Sequence, residues 1–243
     1  MQTVNQNRRL SFFGMMGIVG LLAVHIGFAK TFIVPRFHGR FEAPAVISVH
    51  GSLAVAWVAL FFAQSVLVSW RKISVHRVLG VAGVFIAVGA ALTMLPAGMF
   101  QVRRDVAAGL GEPAVSSIVG VVTGAVMFLG FVAAGVIWRK NGAVHKRFML
   151  LGLIVLLWPA WFRFRHYFPH VPRPDIWFAV VLADSLIVAA WIWDRRVNGR
   201  VHPVLLYGGL FIILEHTFEV LAFDSGPWRS VAALLYGALQ KSL

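Results

Sequence analysis

VSSIVGVVTGAVMFLGFVAAGVIW, Val115 to Trp138, contains no charged side chain and runs straight into Arg139 and Lys140. At about 1.5 Å per residue, a helix of this length crosses a hydrocarbon core of about 30 Å. Six other blocks have the same character: Ser11 to Val34, Pro44 to Trp70, His76 to Phe100, Lys146 to Phe168, Pro174 to Asp194 and Pro203 to Phe223. Each is long and apolar, and short basic stretches separate them. The pattern predicts an all-α integral membrane bundle of seven transmembrane helices, one domain over the whole chain.

Composition agrees. Of 243 residues, 59% are apolar and 13% are charged, against roughly 25% charged in soluble domains. Mean hydropathy is +0.81. A soluble enzyme, a disordered tail and a coiled coil are excluded. The net charge of +13 lies between hydrophobic blocks, which argues against a nucleic-acid partner and for membrane lipids. The chain has no cysteine, so disulfides, iron–sulfur clusters and thiolate-ligated haem are excluded.

Charge also predicts orientation. Arg8 and Arg9 precede an apolar run too long for a cleaved signal, which predicts an uncleaved first span. Compact pairs such as Arg139-Lys140 and Lys146-Arg147 flank a very short loop. By the positive-inside rule the N-terminus is cytoplasmic and the C-terminus outside, in the inner (plasma) membrane. The last segment opens on Asp224-Ser225-Gly226-Pro227, a helix-start signal. A helix over about 227–239 is too short to span, and its Trp, Arg and Leu content suits the membrane interface.

Three hairpin turns repeat a theme of Trp and bases followed by Val-His: Trp70 to His76, Trp138 to His145 and Trp193 to His202. The recurrence suggests three related helix pairs plus one extra helix. It also places His76, His145 and His202 at one predicted depth on alternate helices. Imidazoles so placed can ligate haem iron, with Arg77 and Arg147 as propionate partners; equally, they can sit beside the bases and contact lipid phosphates.

The outer half of the bundle holds the rarer feature. Asp184, Glu215, His216, Glu219 and Arg163 fall at depths where apolar residues belong, with His25 and His50 on earlier helices. Charges there must pair or line a polar cavity. Glu215 and Glu219 are one turn apart, and His216 shares their side of the helix. The set His50, Glu215, His216, Glu219 and His25 is a candidate ligand group for Zn, Fe or Mn. Asp184 and Arg163 are then candidate catalytic groups; alternatively, Arg163 and Arg165 neutralise the acids in a structural network. His50, Trp57 and Gln64 form a polar stripe on one face of the second helix. Glycines such as Gly14, Gly17, Gly20, Gly120 and Gly124 suit close helix packing. Pro159 should loosen the fifth helix.

Several motifs taken in order carry a resemblance: His50-Gly51 with Trp57 and Gln64, His76-Arg77-Val78-Leu79-Gly80, His145-Lys146-Arg147-Phe148-Met149, Pro159-Ala160 with Arg163, and Asp194 to Arg200-Val201-His202-Pro203. Together they resemble a family of bacterial polytopic inner-membrane proteins, a label that implies no activity. More distantly, they are similar to di-haem b-type transmembrane cytochromes and to membrane proteins of haem–copper oxidase assembly. That likeness implies a haem held by His76 and His145. The fourth helix has no histidine, so an outer haem would need His25 or His216 beside His50.

Three functions stand open on this reading. One is a b-haem-binding redox or haem-handling protein. Another is a metal-dependent membrane enzyme acting on a lipid or apolar substrate at an outer cavity. The third is a non-catalytic accessory subunit of a larger membrane complex, or a transport or binding protein.

Overall fold

A computed structural model describes residues 10–242; Arg8 and Arg9, counted above for orientation, lie outside them. Among the described residues the chain is helical with no strand. Seven helices are long and apolar enough to cross a membrane: α1 Phe12–Phe37, α2 Ala45–Ser69, α3 Ile73–Ala107, α4 Glu112–Ile137, α5 Gly142–His166, α6 Asp175–Asn198 and α7 Pro203–Ala222. A shorter helix, α8 Gly226–Ser242, follows.

Several helix ends differ from those expected, because local capping rather than hydropathy sets them. α5 starts at Gly142, not Lys146, since Asn141 Oδ1 accepts the amides of Ala143 (3.1 Å) and Val144 (3.3 Å). α3 does not stop at Phe100. Its polar extension is supported by Gln101 donating to Asp105 one turn on, at 2.6 Å. It ends where Gly109 takes φ +84°, while Leu110 N–H returns to the Asp105 carbonyl.

Proline perturbs two helices differently. Pro35 has no amide to give and its ring crowds the carbonyl four residues back. The turn before it, Ala29–Ile33, widens to π winding. α5 continues through Pro159 and tightens to 3₁₀ over Arg163–His166. The expected loosening is therefore a change of winding.

α5 is the centre of the bundle. Every residue from Leu150 to Leu157 is buried. It packs on α1, α4, α6 and α7, while α3 packs on α2 and α4. Small residues permit the closest approaches. The Cβ that Gly17 lacks would stand 2.9 Å from Phe62 Cα, and one on Gly27 would collide with the Ala160 carbonyl.

The start of α1, the start of α5 and the end of α6 share one end of the molecule. There Phe12 stacks on Trp193 at 4.5 Å, and Lys146 lies 5.2 Å from the Phe13 ring centre. At the other end α8 docks on α3 and α4. Trp228 and Ala232 are buried with Met99, Val102, Ile118 and Val119. Trp228 is thus turned into the protein, and its Nε1–H donates to the Ser116 carbonyl at 3.0 Å.

Candidate functional site

His76 and His145 stand on the first turns of α3 and α5, and the two imidazoles meet. Their ring centres are 6.3 Å apart and their planes 88° to each other. His145 Nδ1 pairs with the Gly135 carbonyl at 2.8 Å. The carbonyl can only accept, so Nδ1 is the donor of this bond and Nε2 stands outside it. His76 Nδ1 is buried with no hydrogen-bond partner. Gln64, the inner end of the α2 polar stripe, donates to the His76 carbonyl at 3.1 Å, and its own Oε1 is also buried and unpartnered. Gly80 lies one turn beyond His76 on the same side. A Cβ there would meet only Gln64 Nε2, at 3.4 Å.

The third histidine has a different role. His202 Nδ1 accepts the Val204 amide at 3.2 Å and caps α7. Burial, then the nearby Arg147 charge, lowers its pKa from the ordinary value, which favours the neutral ring that capping requires. The third hairpin therefore departs from the other two, whose histidines lie inside their helices.

Arg147, expected beside a haem propionate, is already engaged. Its Nε donates to Asp194 Oδ2 at 3.2 Å, its Nη2 to Asp194 Oδ1, and its Nη1 to the Ala143 carbonyl at 2.7 Å. Asp194 also accepts from Asn198 Nδ2 and from the His202 amide at 2.7 Å. Both members of the pair are buried. The cluster staples α5, α6 and the start of α7. Arg77 is exposed beside His76.

Deeper in the bundle, Asp184 of α6 and His216 of α7 form a buried dyad, Oδ1 to Nδ1 at 2.7 Å. Glu215 Oε2 lies 4.0 Å from His216 Nε2. Asp184 Oδ2 and Glu215 Oε2 are buried without hydrogen-bond partners, as are the Trp158 and Trp161 indole nitrogens. The Trp158 ring is 6.0 Å from His216. Glu219 lies against Gly120 of α4, where any Cβ would strike its carboxylate.

The other candidates stand apart from this dyad. His50 Nδ1 faces the Ala90 carbonyl at 3.1 Å and Thr93 Oγ1 at 3.2 Å. His25 Nδ1 turns back to the Leu21 carbonyl of its own helix, at 2.7 Å. Arg163 donates to the Pro159 carbonyl at 2.9 Å and sits 4.1 Å over the Phe28 ring. Among the described residues, no carboxylate is within ion-pair distance of Arg163 or Arg165. The anticipated neutralisation of Asp184 and the glutamates by these arginines is therefore absent there. Nor do three or more His, Asp or Glu gather as a metal site among the described residues.

Sequence reasoning undervalued Asp194. It read as one more hairpin residue, yet it joins three elements. Its only signal was being an acid among the bases at a helix end. Comparison with protein-family models, curated proteins and solved structures finds no match.

Proposed function

We propose that this multi-pass membrane protein is a b-haem-binding redox or haem-handling protein, with His76 and His145 as axial ligands. The carrying observation is the meeting of these two rings, one from the start of α3 and one from the start of α5. A ring centre lies about 1.2 Å from its nitrogen, and a metal–imidazole bond is about 2.1 Å. Two rings sharing one metal therefore stand at most about 6.6 Å apart, and these stand at 6.3 Å. The bond from His145 Nδ1–H to the Gly135 carbonyl holds that ring's orientation and raises the basicity of Nε2. The orphaned nitrogen of His76 and the bare Gly80 surface support the same reading. Bound haem supplies one-electron transfer. The protein's part is to present two imidazoles, to keep Arg147 tied to Asp194, and to leave Arg77 exposed beside His76 with no ion pair among the described residues. The likeness to di-haem b-type cytochromes points the same way. Reconstitution with haem tests this: wild type and His202→Ala should gain a Soret band, while His76→Ala and His145→Ala should not. Equal spectra for all four would overturn it.

The unpartnered oxygens of Asp184 and Glu215 favour a second reading, an outer-half site for a metal ion or a polar substrate group. Stoichiometric metal in the purified protein, lost in Glu215→Ala, would support it; a metal-free protein would refute the metal version.

The inner membrane, with the His145 loop cytoplasmic and the C-terminus outside, is proposed from the basic pairs flanking that loop. Reporter fusions at residues 141 and 242 test the orientation. A fusion at 141 that reports from outside would reverse it.

A further inference from the structure

The end of α1 borders an open pocket of about 530 Å³ that none of the readings above uses. Its walls include Lys30, His38 and Arg40, the Tyr167 ring, and apolar Val34 and Pro35; no acid lines it. Local structure explains the convergence. The π turn over Ala29–Ile33 changes the helical register ahead of Pro35. The helix then stops in a Schellman turn: Gly39 takes φ +64°, its amide returns to the Arg36 carbonyl, and the Arg40 amide returns to the Pro35 carbonyl at 2.8 Å. Phe41 packs edge-on to Phe32 at 5.1 Å and holds the returning strand of chain in place. Arg40 is thereby folded back toward the face that carries Lys30.

The bases around this cavity have unused donors. Lys30 Nζ donates to the His166 carbonyl at 3.1 Å and rests 4.3 Å from the Tyr167 ring centre. An ammonium has three donors, so two remain. Among the described residues, the side chains of His38 and Arg40 make no hydrogen bond or ion pair. A concave site lined by two cations and a histidine, with no acid among its described lining residues and with an apolar wall, suits an anion with a lipophilic body. Phe37, 90% exposed, projects beside it as an apolar anchor.

We propose that this cavity binds the phosphate of an anionic lipid, with Lys30 and Arg40 as the gripping cations and Tyr167, Val34 and Pro35 as the apolar wall. The site shares no residue with the haem reading, and either can fail alone.

Native mass spectrometry of the detergent-purified protein tests the site with three probes: phosphatidylglycerol, phosphatidylcholine and inorganic phosphate. Wild type should retain one phosphatidylglycerol in preference to phosphatidylcholine. The double variant Lys30→Gln/Arg40→Gln should bind it about thirtyfold more weakly, as expected for two cations near a membrane surface. Arg139→Gln/Lys140→Gln, at the opposite end, should bind as wild type does. A thermal melt of each variant separates lost binding from lost folding. Competition by inorganic phosphate would keep the phosphate site and assign it a soluble source. Phosphatidylglycerol retained equally by the folded Lys30/Arg40 variant would overturn the proposal, as would no retention by wild type.

Discussion

Arg147 and Asp194, 47 residues apart in the chain, share two hydrogen bonds in a site where the Asp194 side chain has no solvent exposure. Burying a pair of charges is costly in itself, but breaking one is worse, since it strands the other. Asp194→Ala should therefore lower stability by about 3–5 kcal/mol. The double variant Arg147→Met/Asp194→Leu should recover part of that loss; the amide of His202 and the side chain of Asn198 would still lack their acceptor. Unfolding in mild detergent measures both. A single variant as stable as wild type would show that the staple contributes nothing.

Close helix contact makes a second prediction. Gly27 abuts the Ala160 carbonyl, whereas Gly124 has open space where its Cβ would stand. Gly27→Ala must push α1 away from α5, at a cost of about 1–3 kcal/mol. Gly124→Ala should melt as wild type does. Equal melting temperatures for the two variants would contradict the packing described.

The Asp184–His216 dyad is expected to act as a unit. Asp184→Leu removes the acceptor for a buried imidazole and should cost about 1–3 kcal/mol. Asp184→Asn keeps an oxygen in the same place and should cost less. His216→Leu in the Asp184→Leu background should add little. Additive losses, read from thermal melts, would mean that the two side chains are not coupled.

Acid should loosen α8. Hydrogen bonds from Arg229 and then Ser116 hold the Asp224 carboxyl below its ordinary 3.8. A depressed folded pKa stabilises fully above the ordinary value and is lost as pH falls through the folded one. Docking of α8 should thus be constant above pH 3.8 and weaken below it. The group is partly open to solvent, which screens it, so the change should be small. The fluorescence difference between wild type and Trp228→Phe reports it, and Asp224→Asn should remove the acid dependence. A transition centred above 3.8 would point to another group.

The seven crossings were legible because a 24-residue block such as Val115 to Trp138 has no other use for so many apolar side chains. Helix ends were less so. Hydropathy marks where the chain turns polar, but Asn141 and Gly109 decide where the helix begins or ends. Equal depth was enough to group His76 with His145, because depth follows from counting along a helix. It could not separate His202, whose ring is taken by the amide two residues on. The acid cluster was visible as charge out of place. Its pairing was not, since Arg163 and His216 both offer N–H donors at suitable depth and only the rotation of α5, α6 and α7 selects His216. His50 meets both the Ala90 carbonyl and the Thr93 hydroxyl of the neighbouring helix, and side-chain patterns carry no record of the carbonyl.

On the proposed haem reading, His76 and His145 hold one haem iron between them. Titrating purified protein with haem and following the Soret absorption tests it most directly. The account predicts saturation at one haem per chain, abolished in His76→Ala and in His145→Ala and kept in His202→Ala. No saturable Soret change in the folded wild-type protein, or an unchanged titration in the His76→Ala variant, would contradict it.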